Sequence, residues 1–114
     1  MDLDIKENGL VCTLKVKGRL VTGEPVSQFE AAFLNALSSG HIFLIFDLEA
    51  VPFLDSSGMG SIVNALRSSS KLGGSVKLVK PTSFVSKTLK MVGVLDLFQV
   101  FDTQEDAAAA CVGS

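Results

Sequence analysis

With 114 residues the chain has the length of one domain built on a single core. An apolar fraction of 47% against 19% charged residues excludes a disordered polymer, and a net charge of −2 removes any general attraction to nucleic acid or anionic membrane. No apolar run approaches the roughly 20 residues of a membrane span. Charge is unevenly spread: residues 1–57 carry four basic and eight acidic side chains (net −4), residues 58–114 six and four (net +2). Met1-Asp2-Leu3-Asp4 lacks the plan of a signal peptide. Cys12 and Cys111 form no Cys-x-x-Cys motif and are expected to pack as small apolar residues, so the expected compartment is the cytoplasm.

Leu3 and Ile5, then Leu10, Cys12, Leu14 and Val16, alternate with other positions at the period of a half-buried strand. Asn8-Gly9 between them tolerates positive φ at both turn positions, which predicts an antiparallel hairpin of strands at 3–7 and 10–17. Gly18 ends the second strand and 19–24 reads as loop. Pro25 suits the first turn of a helix whose apolar face is Val26, Phe29, Ala32, Phe33, Ala36 and Leu37. Ile42-Phe43-Leu44-Ile45-Phe46 does not alternate, the pattern of a central strand covered on both faces.

Beyond the central stretch discussed below, Met59, Ile62, Val63 and Leu66 mark a second helix over 57–71, ended by Gly73-Gly74. Val76, Leu78 and Val79 form a short strand stopped by Pro81. Thr82 or Ser83 caps a third helix with Phe84, Val85, Thr88, Leu89 and Val92 inward, and Leu97-Phe98-Gln99-Val100-Phe101 fits a short edge strand. Asp102 and Glu105 have capping-box spacing ahead of the alanines at 107–110. The order β-β-α-β-α-β-α-(β)-α predicts one α/β domain over 1–114, a mixed sheet of four to five strands opened by a hairpin, with four helices.

The chemistry gathers at Phe53-Leu54-Asp55-Ser56-Ser57-Gly58-Met59-Gly60, between the third strand and the second helix. A helix N-terminus has unpaired N–H groups and a partial positive charge, so a serine there is either a cap or a place where a phosphate sits comfortably. Catalysis by such a serine needs a base. The one histidine, His41, lies at the far end of the preceding strand, roughly 20 Å away at 3.3 Å per residue, where it reads as a plain surface residue. No Gly-x-Ser-x-Gly elbow exists. Gly58-Met59-Gly60 lacks a third glycine at Val63, and no Gly-Lys-Ser/Thr follows, so Gly58 reads as close packing or a tight helix start. There is no cluster of metal ligands and no aromatic-basic stripe for nucleic acid; Arg67, Lys71, Lys77, Lys80, Lys87 and Lys90 are spread over several elements, and most read as solvated charges. The expectation is a protein that is not an enzyme and carries no metal or cofactor.

The element order, with Asp55-Ser56-Ser57-Gly58-Met59-Gly60 at that junction, resembles a STAS domain, and more narrowly the bacterial anti-sigma factor antagonists. The likeness runs from Asn8-Gly9 to the alanine helix, supported by Pro81 after a basic strand and by Gly93-Val94-Leu95-Asp96-Leu97-Phe98. It implies Ser56 as phosphoacceptor, with Ser57 as runner-up, and a partner surface formed by Leu54, Asp55, Ser56, Ser57, Gly58 and Met59. Phe53 adds either apolar contact or buried packing. The implied partners are an anti-sigma factor that is also a serine kinase and a metal-dependent serine phosphatase, without direct contact to nucleic acid or membrane. The unphosphorylated form would bind the anti-sigma factor and free a sigma factor. The family's Gly-Glu-Leu-Asp step is Gly18-Arg19-Leu20-Val21 here, so both acidic positions are lost, leaving Arg19 to attract a phosphate or Glu24 to supply a carboxylate. The alternative is a non-switching STAS module that binds a nucleotide or other small ligand, or a scaffold subunit of a larger signalling assembly, with the serines as caps only.

Overall fold

The period of two along each strand decides which face of the sheet a side chain takes, and here both faces of the central strands are covered, while the first strand is exposed along most of its length. The computed structural model describes residues 1–112. β1 (Asp2–Asn8) and β2 (Val11–Lys17) form an antiparallel hairpin, and β3 (Phe43–Ala50), β4 (Ser75–Val79) and β5 (Gln99–Phe101) follow in parallel. The sheet order is β1-β2-β3-β4-β5. Helices α1 (Glu24–Ser38), α2 (Ser56–Lys71) and α3 (Ser83–Met91) fill the crossovers, a 3-10 turn (Leu95–Leu97) precedes β5, and α4 (Gln104–Val112) closes the described chain. The result is a single α/β domain with the mixed sheet and four helices expected.

Cys12, Leu14 and Val16 of β2, Leu44, Phe46 and Leu48 of β3, and Val76 and Leu78 of β4 face α1, α2 and α3 in the main core. Phe29, Phe33 and Phe46 meet there with ring centroids 4.8–6.3 Å apart, in edge-to-face and tilted arrangements. The intervening residues Val11, Ile45 and Val79 meet Ala107 and Cys111 of α4 on the other face. β2 is therefore not half-buried as its alternation suggested, because α4 crosses it and covers Val11 and Thr13 as well. Both cysteines are buried, and burial pushes the Cys12 thiol up to about 11, far from thiolate chemistry.

Four local readings are corrected by the structure. The hairpin turn is Gly9-Leu10, with Asn8 still paired to Val11 in the ladder; Gly9 alone takes positive φ (+60°), as a type II′ turn requires. That turn is held from outside: the Phe43 N–H donates to the Leu10 carbonyl at 3.0 Å, and His41 places Nδ1 2.6 Å from the Gly9 carbonyl and Nε2 3.1 Å from Glu7. His41 is thus a half-buried pin and not a plain surface residue. On α3 only Val85 and Leu89 are buried, while Phe84 (46% exposed) and Val92 (52%) face outward, since nine residues cannot wrap a wide apolar face onto the sheet. α4 is capped by Thr103, whose Oγ1 accepts from the Asp106 N–H at 3.0 Å, and not by Asp102.

Lys77 is also buried, its Nζ donating to Ser75 Oγ at 3.0 Å beneath α4, so it is not one of the solvated charges. Nearby, buried Asp47 accepts from Gln104 Nε2 at 2.7 Å and from the Glu49 N–H at 3.1 Å, which docks the start of α4 onto β3. Since Phe46 lies at the centre of the aromatic cluster, Phe46→Ala is expected to cost about 3–5 kcal/mol in urea denaturation.

Candidate functional site

Strands β2, β3 and β4 end at one edge, where segments 18–22 and 50–55 continue side by side beyond the sheet. The Gly18 N–H donates to the Ala50 carbonyl at 2.9 Å and the Leu20 N–H to the Phe53 carbonyl at 3.0 Å, and Leu20 pairs with Leu54 as an isolated parallel bridge. Leu20, Val51 and Leu54 are buried, anchoring both segments in the core. The Thr82 hydroxyl donates to the Val51 carbonyl at 3.1 Å, which brings the start of α3 to the same edge. Gly58 completes the approach: it is buried, and a Cβ there would fall on the Leu20 carbonyl oxygen.

Asp55 is the N-cap of α2, in extended backbone conformation. Its Oδ1 accepts from the Gly58 N–H at 2.9 Å. Its Oδ2 accepts from both the N–H and the hydroxyl of Thr22, each at 2.9 Å. These donors, the Thr22 N–H foremost and the Gly58 N–H next, hold the Asp55 carboxyl below the usual aspartate value of 3.8. Thr22 Oγ1 also lies 2.7 Å from Ser57 Oγ. A hydroxyl has one proton, and the carboxylate can only accept, so Thr22 donates to Asp55 and Ser57 donates to Thr22.

The two serines are thereby distinguished. Ser57 is half-buried and committed; Ser56 is exposed at the first residue of α2 and its hydroxyl makes no hydrogen bond to the described residues. No acidic residue stands in the first turn of α2 itself.

Leu54 and Phe53 take each other's expected places. Leu54 is 2% exposed and belongs to the core, so it offers no contact surface. Phe53 is half-buried, with the Arg19 guanidinium 4.9 Å from its ring centroid and the Phe84 ring at 5.0 Å. Met59 is partly buried against the core. Arg19 therefore rests on an aromatic ring, and Glu24 accepts from Gln28 Nε2 at 2.9 Å within α1. Thr22 is the residue that sequence reasoning missed: a threonine in a loop carries no signal of a partner 33 positions away. His41 stands at the opposite edge of the sheet. Among the described residues no three His, Cys, Asp or Glu side chains are grouped to hold a metal, and no helix is long and apolar enough to cross a membrane.

A five-stranded mixed sheet with an Asp-Ser-Ser-Gly helix start at its carboxyl edge defines a class, and residues 2–107 match the family model of the STAS domain. The chain belongs to that family. It is 32% identical over 75 residues to a proposed anti-sigma factor antagonist of Thermotoga neapolitana, a match that spans 66% of this chain and 66% of that relative. The crystal structure of a proposed anti-sigma factor antagonist from Thermotoga maritima superposes with a TM-score of 0.88 at 26% identity, covering 96% of this chain and 94% of that one. SpoIIAA, an anti-sigma factor antagonist, shares the fold in its unphosphorylated form with a TM-score of 0.86 at 23% identity, over 99% and 98% of the two chains.

Two glycines in one turn of α2 separate packing from propensity. Gly58→Ala is expected to cost about 1–3 kcal/mol through the clash with Leu20, whereas Gly60→Ala, with open space around it, is expected to gain about 0.5–1 kcal/mol in the same urea titration. The depressed Asp55 carboxyl contributes stability that is fully present above its ordinary value and is lost as pH falls through its lower folded value. The stability difference between the wild type and Asp55→Asn is accordingly expected to be largest near neutral pH and to shrink as pH falls below about 4.

Proposed function

We propose that the protein is an anti-sigma factor antagonist switched by phosphorylation of Ser56. The observation that carries this reading is the contrast at the start of α2, where Asp55 and Ser57 are held by Thr22 while the Ser56 hydroxyl stands exposed without a hydrogen-bond partner among the described residues. The antagonist role is supported by the Thermotoga relatives, and SpoIIAA, which shares the fold, has also been solved in a phosphorylated form.

The site is a substrate and not a catalyst. Transfer from ATP joins Ser56 Oγ to the γ-phosphorus, releases ADP and sends the hydroxyl proton to a base. Asp55 is ill suited as that base, because its lone pairs are engaged and its carboxyl is held at low pKa. The base and the nucleotide site therefore belong to the partner, an anti-sigma factor that is also a serine kinase, and a serine phosphatase reverses the step. The added phosphate brings about −1.5 to −2 charge at once. At a helix N-terminus that charge is tolerated by the fold, but it repels an acidic partner surface and obstructs close apolar contact. In the unphosphorylated form the same surface binds the anti-sigma factor and frees the sigma factor.

One observation favours a second reading, a small-ligand module: a groove of about 770 Å³ between the hairpin and α4, lined by Lys6, Leu10, Thr13, Phe43, Ala108 and Cys111. It lies on the α4 face, away from Ser56. The two readings separate by peptide mapping after incubation with the host's anti-sigma factor kinase and MgATP. One phosphoryl group on Ser56 is expected, retained in Ser57→Ala and abolished in Ser56→Ala. Ser56→Ala is expected to fold normally and stay locked in the partner-binding form. An unmodified Ser56, or a phosphate on Ser57 alone, would sink the proposal.

A further inference from the structure

The surface beside Ser56 has an aromatic and cationic composition that its packing does not require. Phe84 is 46% exposed on α3, and its ring meets the half-buried Phe53 ring at 5.0 Å and 37°. Arg19 also lies over Phe53, with its guanidinium 4.9 Å from the centroid. The three groups come from three separate segments, the loop after β2, the loop before α2, and α3, and they form one continuous stack at the edge where Ser56 emerges.

The ion pairs among the described residues join Lys17 to Asp4, His41 to Glu7 and Lys80 to Glu49, so Arg19, Lys87 and Lys90 remain without a carboxylate. Glu49 is paired with Lys80, while Asp55 and Glu24 keep their charge and are held in place by neutral donors of Thr22, Gly58 and Gln28. Lys87 and Lys90 line a depression of about 380 Å³ with Pro81 and Leu95 on the same helix as Phe84.

We infer that the Arg19–Phe53–Phe84 stack is the specificity-determining part of the partner surface, and that it receives a carboxylate of the partner flanked by apolar side chains. The inference rests on the switched-antagonist reading and adds the chemistry of the partner to it. A guanidinium resting over a ring has lost rotamer freedom before binding, and its fork of N–H donors remains suited to a bidentate acceptor. Arginine and aromatic side chains at the centre of a contact are the residue types on which interface energy concentrates. The sign also agrees with the switch, because a phosphate on Ser56 repels an acidic partner as well as obstructing apolar contact. The occupant is therefore an acidic, apolar-centred protein surface.

The test uses the intact protein and each anti-sigma factor of its own host, purified, with affinity measured at low and moderate salt. Binding of one of them to the wild type is expected to weaken as salt rises. Arg19→Glu is expected to weaken it by about tenfold or more, Arg19→Lys several-fold because the charge survives without the planar fork, and Phe84→Ser by a similar factor. Melting curves of each variant separate lost contact from lost fold, and restoration of Arg19→Glu binding by an acid-to-arginine change on the partner would locate the contact. A partner that binds wild type and Arg19→Glu within twofold, or prefers the latter, overturns the inference and leaves the switch at Ser56 standing. If no host anti-sigma factor binds the wild type, the antagonist reading fails and this inference fails with it.

Discussion

One carboxylate holds the functional edge of this fold together. Asp55 accepts from the Gly58 N–H with one oxygen and from the Thr22 N–H and hydroxyl with the other. Those donors lie on different segments, so the carboxylate is satisfied only when the loop after β2 and the first turn of α2 are both in place. Aspartate suits the position for a geometric reason. Serine has a single short acceptor, and asparagine would set an NH₂ group against donors on one side. Beneath this tie, buried Leu20 and Leu54 fix the depth of the two segments, and Gly58 leaves room for the Leu20 carbonyl. The polar tie sets orientation; the apolar pair sets distance.

The arrangement would let modification of one hydroxyl change a surface without changing the fold. Ser57 is drawn into the tie as a donor to Thr22, which leaves Ser56, one residue away on the same helix end, exposed and without a hydrogen-bond partner among the described residues. A phosphate on Ser56 gains from the partial positive charge of the α2 N-terminus and loses by standing near the Asp55 carboxylate. These contributions oppose each other and both are screened at an exposed site. The net effect on folding is therefore small compared with the effect on a partner that must bring its own charge and apolar groups against the same point.

Much of the fold was legible because its signals are local. The unbroken apolar run before Asp47 announced a strand covered on both faces, and Gly73, with φ of +83°, ends α2 as its position suggested. What was not legible depends on contacts distant in sequence. The hairpin turn moved by one residue because His41 and Phe43 hold Gly9 and Leu10, and no property of Asn8-Gly9 reports that. The alternation in β2 looked half-buried because α4, which covers its second face, comes some ninety residues later and is built of alanines. At the site, Asp-Ser-Ser-Gly identified the helix start, but the roles of its serines were set by Thr22, and the places of Phe53 and Leu54 by pairing with Leu20.

The exposed face of α3 is the clearest case of a residue pattern read correctly as apolar and wrongly as core. Val85 and Leu89 suffice to dock nine residues of helix, and the apolar arc that the spacing revealed extends past them to Phe84. An exposed phenylalanine in isolation needs no explanation. Phe84 is not in isolation: Phe53 orients its ring, and Arg19 covers Phe53 in turn, so the group is both apolar and ordered before anything binds. Ordering of that kind lowers the entropy lost on association without adding to the stability of the core. Arg19 and Val21 stand where the resemblance to anti-sigma factor antagonists implies acidic residues, and the aromatic contact of Arg19 gives that difference a physical counterpart. At this edge the chain presents a cation on a ring, and a partner that fits it would carry the opposite sign.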